Sequence, residues 1–410
     1  MEIKFPYGKK EISLSIPKEN VVGMVKGKEI KPSMPLDDLL KNALSHPLGT
    51  KKISEMNGKN VVVVVDDKTR PLPTKKILPH IFNEINEDKN ITILFATGTH
   101  APMKKKDAYA VLGKEIAENY EWVTHDAKNA EFVELGTSSF GTPIFLNKAF
   151  MNADIKILVG DVELHYFAGY GGGRKSVLPG TAAESTVEHN HQMMFHENAR
   201  FGILDGNPVH EDMEEAASLA KVDFCLNVVQ NSEHEIVGAF AGEHKKVLRR
   251  GAKMIDEMFK CVVKQKADAV IVAADGYPHD INLYQAMKAI QTVIDVVKEN
   301  GTIVLIAECK EGHGSEKFYN EMEKYENSSQ IKKDLMKKFI MGKHKVYYML
   351  NATEKAKIFM TTDMNEEMVS HFRMEKIDGD EILKEIYKRH GKDAKIILSP
   401  HASTTLAYLK

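Results

Sequence analysis

From residue 60 onward the chain alternates short apolar runs, polar loops and amphipathic stretches. Residues 60–65 (NVVVVV) form a β-branched run that predicts a buried strand. A polar loop with two prolines follows at 66–73. Thr74 is placed to N-cap a helix whose apolar face carries Ile77, Leu78, Ile81, Phe82 and Ile85, and Pro79 inside it predicts a kink or a later start. Residues 91–96 (ITILFA) are the next strand, then a loop at 97–102 and another helix. Residues 155–160 (IKILVG), 268–274 (DAVIVAA), 302–307 (TIVLIA), 357–362 and 395–399 read as further strands, with helical stretches around 243–259 and 286–299. The first ~58 residues read as short strands and turns with one helix-like stretch. Strands alternating with helices predict an α/β fold. The expectation is two α/β domains with largely parallel sheets and an active site in the cleft between them. The N-terminal domain is expected over 1–265, with 396–410 a candidate to pack back on it, and the C-terminal domain over 266–395. Ligands of such sheets sit beyond the carboxyl ends of the strands, where the polar clusters of this chain fall.

Composition narrows the function classes. The chain has 410 residues and a net charge of -2, which argues against a nucleic-acid binder. The apolar runs are far shorter than the ~18 residues of a membrane span, and the charged start has no apolar signal core. Three widely spaced cysteines, Cys225, Cys261 and Cys309, give neither a disulfide framework nor zinc-site spacing. A cytoplasmic protein with no nucleic-acid or membrane partner is expected.

Residues 160–180 (GDVELHYFAGYGGGRKSVLPG) are the densest chemical segment. Their glycines permit close backbone approach, and successive N–H groups there could cradle a phosphate. A P-loop requires glycine immediately before its lysine, so Arg174 excludes the ATPase reading. Lys175 is then a phosphate-binding cation or a nucleophile that links a cofactor, pyridoxal phosphate included. A nearby Arg174 would favour the nucleophile by lowering its pKa. His189, His191, His196 and His210 follow. Imidazole suits zinc, copper, iron and nickel, and one of the four is expected as a metal ligand. His189 and His191 would share a face on a strand and diverge on a helix. His100 and His165, each after a strand, suit acid–base work near neutral pH. Arg70 suits bidentate binding of carboxylate or phosphate, with a salt bridge to Asp66 or Asp67 as the plainer alternative. Gln285 and Lys288, three apart, share a helix face and could hold a small carboxylate. His313 has no assigned role.

Residues 66–73 (DDKTRPLP), 96–103 (ATGTHAPM), 160–180, 188–213 (EHNHQMMFHENARFGILDGNPVHEDM) and 275–289 (DGYPHDINLYQAMKA) together resemble segments of the nickel-pincer lactate racemase family, in family order. The resemblance implies a nickel(II) pyridinium-3,5-bisthiocarboxylate mononucleotide joined to Lys175 as a thioamide. It implies His191 as the nickel ligand, with His189 its rival, and Asp67, Lys68, Thr69 and Arg70 as the loop that contacts the cofactor. His100 and His165 match the family's acid–base histidines. Tyr284, Gln285 and Lys288 match its substrate-binding residues, with Arg70 beside them. The implied reaction racemises a 2-hydroxy acid through a planar 2-oxo acid, by hydride transfer to and from the cofactor. The lactate enzyme of the family carries a tryptophan in its second domain, whereas the one tryptophan here, Trp122, is in the first. Tyr347, Tyr348 or Phe359 could line that side, and the substrate expectation widens to another short 2-hydroxy acid, a dicarboxylate such as malate, or an aryl analogue. Cofactor-biosynthesis proteins are expected as transient partners. The alternatives are a non-catalytic carrier of the cofactor and a zinc hydrolase built on His189, His191 and His210.

Overall fold

The computed structural model describes residues 1–409. The chain forms two compact units, one of residues 29–257 and one of residues 1–28 with those from 258 onward. This division differs from the expected boundary at 265. Val21–Met24 pairs in parallel with Ile396–Ser399, which itself lies beside Ala267–Ala273, so a strand from near each end of the chain belongs to the C-terminal unit's main sheet. Leu406–Leu409 pairs with Lys260–Val263, so the tail packs there and not on the N-terminal unit. Backbone ladders between distant segments decide this, and an apolar pattern does not report them.

In the unit of residues 29–257 six strands form one sheet: β1 (Asn60–Asp66), β2 (Asn90–Ala96), β3 (Glu121–Thr124), β4 (Ile155–Asp161), β5 (Phe224–Gln230) and β6 (Ile236–Gly242). Their order is β6-β5-β4-β1-β2-β3, parallel except for the β5–β6 pair. Val61–Val65 of β1 are buried on both faces, as a central parallel strand requires. The helix α1 (Thr74–Phe82) starts at Thr74 itself and runs through Pro79. Pro73 is the N-cap residue, so the expected Thr74 cap is not formed. Ile77, Leu78 and Ile81 are buried in the core with Val61, Val63 and Phe95. From β1 the chain winds outward through β2 and β3, then returns to place β4 on the other side of β1. The crevice outside Asp66 and Asp161, at the carboxyl ends of β1 and β4, is therefore a topological switch point, the usual ligand position in a doubly wound sheet.

The other unit repeats the plan. Its sheet order is Glu375–Lys376, Ala356–Thr361, Val297–Ile306, Ala267–Ala273, Ile396–Ser399, Val21–Met24, with every pair parallel. Its switch point lies between Ala267–Ala273 and Ile396–Ser399. The helix expected over 286–299 is broken into Leu283–Ala286 and Lys288–Val293, and the following strand already starts at Val297. Among the described residues no helix is long and apolar enough to cross a membrane.

Candidate functional site

The switch point of the N-terminal unit gathers the charged residues that follow three strands. Arg70, on the loop after β1, donates from Nη1 to Glu163 Oε1 at 2.6 Å, not to Asp66 or Asp67. Burial pushes the Asp66 carboxyl up to about 6, against the pull of Arg70 and with Glu163 and Asp67 adding repulsion. Burial, then Glu163 and Asp66, raises Asp161 as well. Asp67 is buried; Thr69 N and Oγ1 donate to its Oδ1 at 2.9 and 2.5 Å, and its Oδ2 lies 2.7 Å from His100 Nδ1. A carboxylate only accepts, so His100 carries its proton on Nδ1 and a lone pair on Nε2. Lys68 is exposed and paired with Asp107 at 2.8 Å.

Lys175 lies in a short 3-10 turn, Gly173–Ser176. Burial, then the cations Arg70 and Arg174, lowers its pKa to about 7. The same surroundings hold His165 well below the ordinary range: burial first, then Lys175, Arg70, His191 and Arg174. His165 Nδ1 accepts from the Ala168 N–H at 3.2 Å, so its proton sits on Nε2. His165 and His191 both pack edge-on against Phe167, with ring centroids 4.6 and 4.9 Å away, and Lys175 and Arg70 are near enough to act on His165 electrostatically. The glycine run is not a phosphate cradle, because its N–H groups are largely used within the protein. Gly171 N donates to Glu163 O at 2.7 Å, and Gly173 N donates to Asn227 Oδ1 at 2.8 Å. The glycines serve close packing instead, since a Cβ on Gly169 would stand 2.1 Å from Ile203 O and one on Gly172 2.6 Å from Asp161 O. Arg174 is fully buried, donating to the carbonyls of Ala168, Gly171 and Gly172 and, from Nε, to His210 Nδ1 at 2.9 Å. It ties the loop down from behind and leaves Lys175 to face the site.

His189 and His191 lie on one helix, α2 (Glu184–Gln192), so they diverge, and His189 faces Gly141. His191 is 5% exposed, and its Nδ1 lies 3.1 Å from Asn190 Oδ1. The Asn190 amide nitrogen is committed to Val209 O and Asp212 Oδ2, at 3.1 and 2.8 Å. Its oxygen therefore accepts from His191 Nδ1–H, and the imidazole lone pair is on Nε2. Burial, then Lys175, lowers the His191 pKa to about 3, so the ring is neutral at pH 7, the form that ligates metals. His210 is spent on Arg174, His196 is exposed, and among the described residues no three His, Cys, Asp or Glu form a group able to hold a metal. The set His189, His191 and His210 is therefore not assembled. His191 is left as a single neutral imidazole that could donate to a metal through Nε2.

The other expected residues lie in the C-terminal unit. Asn282 caps Leu283–Ala286 by accepting from Gln285 N at 3.1 Å, and Lys288 donates to Gln285 Oε1 at 2.8 Å, so the two do share a face. Tyr284 packs edge-on against Phe318, with Lys345 Nζ 5.1 Å from its ring centroid. His313 accepts from Ser315 N, a local turn role. Trp122 packs against Phe95 and donates to Ala117 O, a core position. Sequence reasoning missed Glu163, whose one signal was an acidic residue two positions before His165 after a buried strand.

The family description "Lactate racemase N-terminal domain" matches residues 7–202, and "Lactate racemase C-terminal domain" matches 262–405. The chain is 38% identical over 348 residues to a lactate racemase of Thermoanaerobacterium thermosaccharolyticum, covering 82% of this chain and 80% of that one. It is 32% identical over 421 residues to a lactate racemase of Lactiplantibacillus plantarum, covering 97% of each. The solved lactate racemase apoprotein of T. thermosaccharolyticum superposes with a TM-score of 0.93 at 33% identity over 100% of both chains. A Thermotoga maritima protein at 20% identity shares the fold, with a TM-score of 0.67 over 91% of this chain and 98% of that one.

Proposed function

The chain belongs to the lactate racemase family and is a racemase, and on that premise we propose that it interconverts the enantiomers of lactate or a close short-chain 2-hydroxy acid with a nickel-pincer nucleotide held on Lys175. The observation that carries this reading is that His165 and His191 pack against one ring, Phe167, with Lys175 and Arg70 acting on His165 and with Lys175 lowered to about 7. Lys175 would hold the nucleotide covalently, and His191 Nε2 would be the protein's donor to its nickel, an imidazole being a ligand that suits this metal. Bound there, the group supplies an acceptor and donor of the substrate Cα hydride.

The remaining work falls to the chain's own residues. His100 presents a lone pair at Nε2, and Asp67 stabilises the imidazolium that forms when it takes the hydroxyl proton. His165 presents Nε2–H as a hydrogen-bond donor to the substrate oxygen, and Nδ1 must give up its bond from Ala168 before the ring, as imidazolium, delivers a proton there or, as the other tautomer, takes one. Arg70 holds the carboxylate, so the planar oxo acid turns without escaping. Tyr284, Gln285 and Lys288 are kept as substrate-binding residues, and Asp67, Lys68 and Thr69 as cofactor contacts, on the support of sequence resemblance. The reading places the protein in the cytoplasm, in keeping with its three free cysteines, and makes cofactor-biosynthesis proteins its transient partners.

Protein made in a host with the cofactor pathway is expected to carry a mass adduct on Lys175, absent in Lys175→Ala, and to racemise lactate. Active enzyme with an unmodified Lys175, or racemisation by protein made without the pathway, overturns the covalent reading. Adduct-bearing protein inactive on a panel of 2-hydroxy acids leaves a carrier in its place.

A further inference from the structure

We propose that Glu163 is the built-in occupant of an anion seat on Arg70, so that the ligand's anionic group binds Arg70 by exchange with the Glu163 carboxylate. The inference rests on the racemase reading for the ligand's identity and on geometry for the seat. Arg70 Nη1 is held by Glu163 Oε1 at 2.6 Å. Four carboxylates bear on this one guanidinium: Glu163 most strongly, then Asp66, Asp161 and Asp67. Lys175 is the other cation that bears on Asp66, and the Asp67 oxygens are committed to Thr69 and His100. Burial holds Asp66 and Asp161 toward the protonated form, so the Glu163 carboxylate is the resident negative charge that a further anion approaching Arg70 meets first. That anion binds well only if the resident carboxylate leaves.

Glu163 is the group able to do so. Asp66 and Asp161 are anchored at strand ends, whereas the Glu163 side chain is 39% exposed and can turn to water. Its backbone stays fixed, because Glu163 O accepts from Gly171 N at 2.7 Å. Gly171 supplies the room: a Cβ there would stand 2.9 Å from Glu163 Cγ. One of the glycines in the run thus serves to seat the occupant rather than to cradle a phosphate. The incoming anion is the substrate carboxylate or the nucleotide phosphate, and both suit an arginine fork.

The test uses holoenzyme and lactate. If the substrate carboxylate takes the seat, Glu163→Gln is expected to lower the KM for lactate about two- to fivefold, the range for a partly exposed ion pair, with kcat within about twofold. Gly171→Ala, which crowds the Glu163 side chain, should shift KM in the same direction and serves if Glu163→Gln folds poorly. If the phosphate takes it, KM stays constant and the fraction of Lys175 carrying the adduct rises in both variants when cofactor is limiting. An unchanged or higher KM together with an unchanged or lower adduct fraction, in variants with wild-type melting temperature, overturns the exchange. Wild-type holoenzyme that racemises no 2-hydroxy acid would instead defeat the racemase reading, and the adduct fraction would still decide whether Glu163 competes for the seat.

Discussion

The two units carry the same device, a parallel sheet with a switch point beside its first long strand, yet they fill it differently. In the C-terminal unit the crevice is stitched shut. Asp275 accepts from His401 Nδ1 at 2.7 Å and from the Ser403 N–H at 2.7 Å, with the Ser403 hydroxyl as a further donor, and Ala274 bridges to His401. These bonds tie the segment after Ala267–Ala273 to the segment after Ile396–Ser399. In the N-terminal unit the same position holds a lysine, two histidines and an arginine beside carboxylates, several far from their ordinary pKa ranges. Burial without full pairing costs stability, and proteins tolerate that cost chiefly where chemistry requires it. The architecture repeats, and the groups gathered at the two switch points differ in charge and burial.

The comparison is broken or upheld most sharply by exchanging histidines. His100→Ala and His165→Ala are each expected to lower kcat by about 10²–10⁴ in holoenzyme, the usual worth of a positioned acid or base. His401→Ala, at the other switch point, should leave kcat within a few-fold. Racemisation assays on the three proteins suffice, and near-normal turnover in either of the first two removes that histidine from the mechanism.

A smaller but more pointed effect concerns Lys175. Burial and the charges of Arg70 and Arg174 disfavour its ammonium form, bringing the pKa to about 7. The reactive free amine should therefore grow in as pH rises through 7, far below the ~10.4 of an unperturbed lysine. Amine-specific labelling of protein made without the cofactor pathway, read by peptide mass at Lys175 from pH 5 to pH 10, is expected to be half-maximal near 7. Removing one cation by Arg174→Met should move that midpoint upward. A midpoint near that of an unperturbed lysine in the wild type would leave Lys175 an ordinary surface amine.

Much of this was legible in the sequence because it depends on local pattern. The β-branched run at 60–65, the strand ends that follow it and the residues Arg70, His100, His165 and Lys175 all fall where periodicity and residue type place them. Residue pattern alone leaves His189 and His191 level, since spacing by two has opposite meanings on strand and helix; the family resemblance prefers His191, and the helix adds that the two side chains diverge. What stayed hidden is non-local. Val21–Met24 joins a sheet whose other strands begin at residue 267, and nothing in its four residues says so. The glycine run suggested a phosphate cradle because sequence reports where N–H groups are, not whether Glu163 O and Asn227 Oδ1 have already claimed them. Arg174 is adjacent to Lys175 as read, but its guanidinium turns inward to His210, which only packing reveals.

The mildest expected effect tests the silent side of the comparison. Asp275 sits in the left-handed backbone region with φ 64, which Asn tolerates about as well as Asp, so Asp275→Asn adds little backbone strain. Its side chain is 12% exposed, and the amide keeps one acceptor oxygen where the carboxylate offered two. One of the bonds from His401 or Ser403 must then be lost or faced by an N–H. The expected loss is about 1–2 kcal/mol of unfolding free energy, measured as a lower denaturant midpoint, while holoenzyme kcat/KM stays within about twofold. The reverse pattern, an unchanged midpoint with activity down a hundredfold, would mean that this crevice also takes part in the reaction, and the contrast between the two switch points would have to be given up.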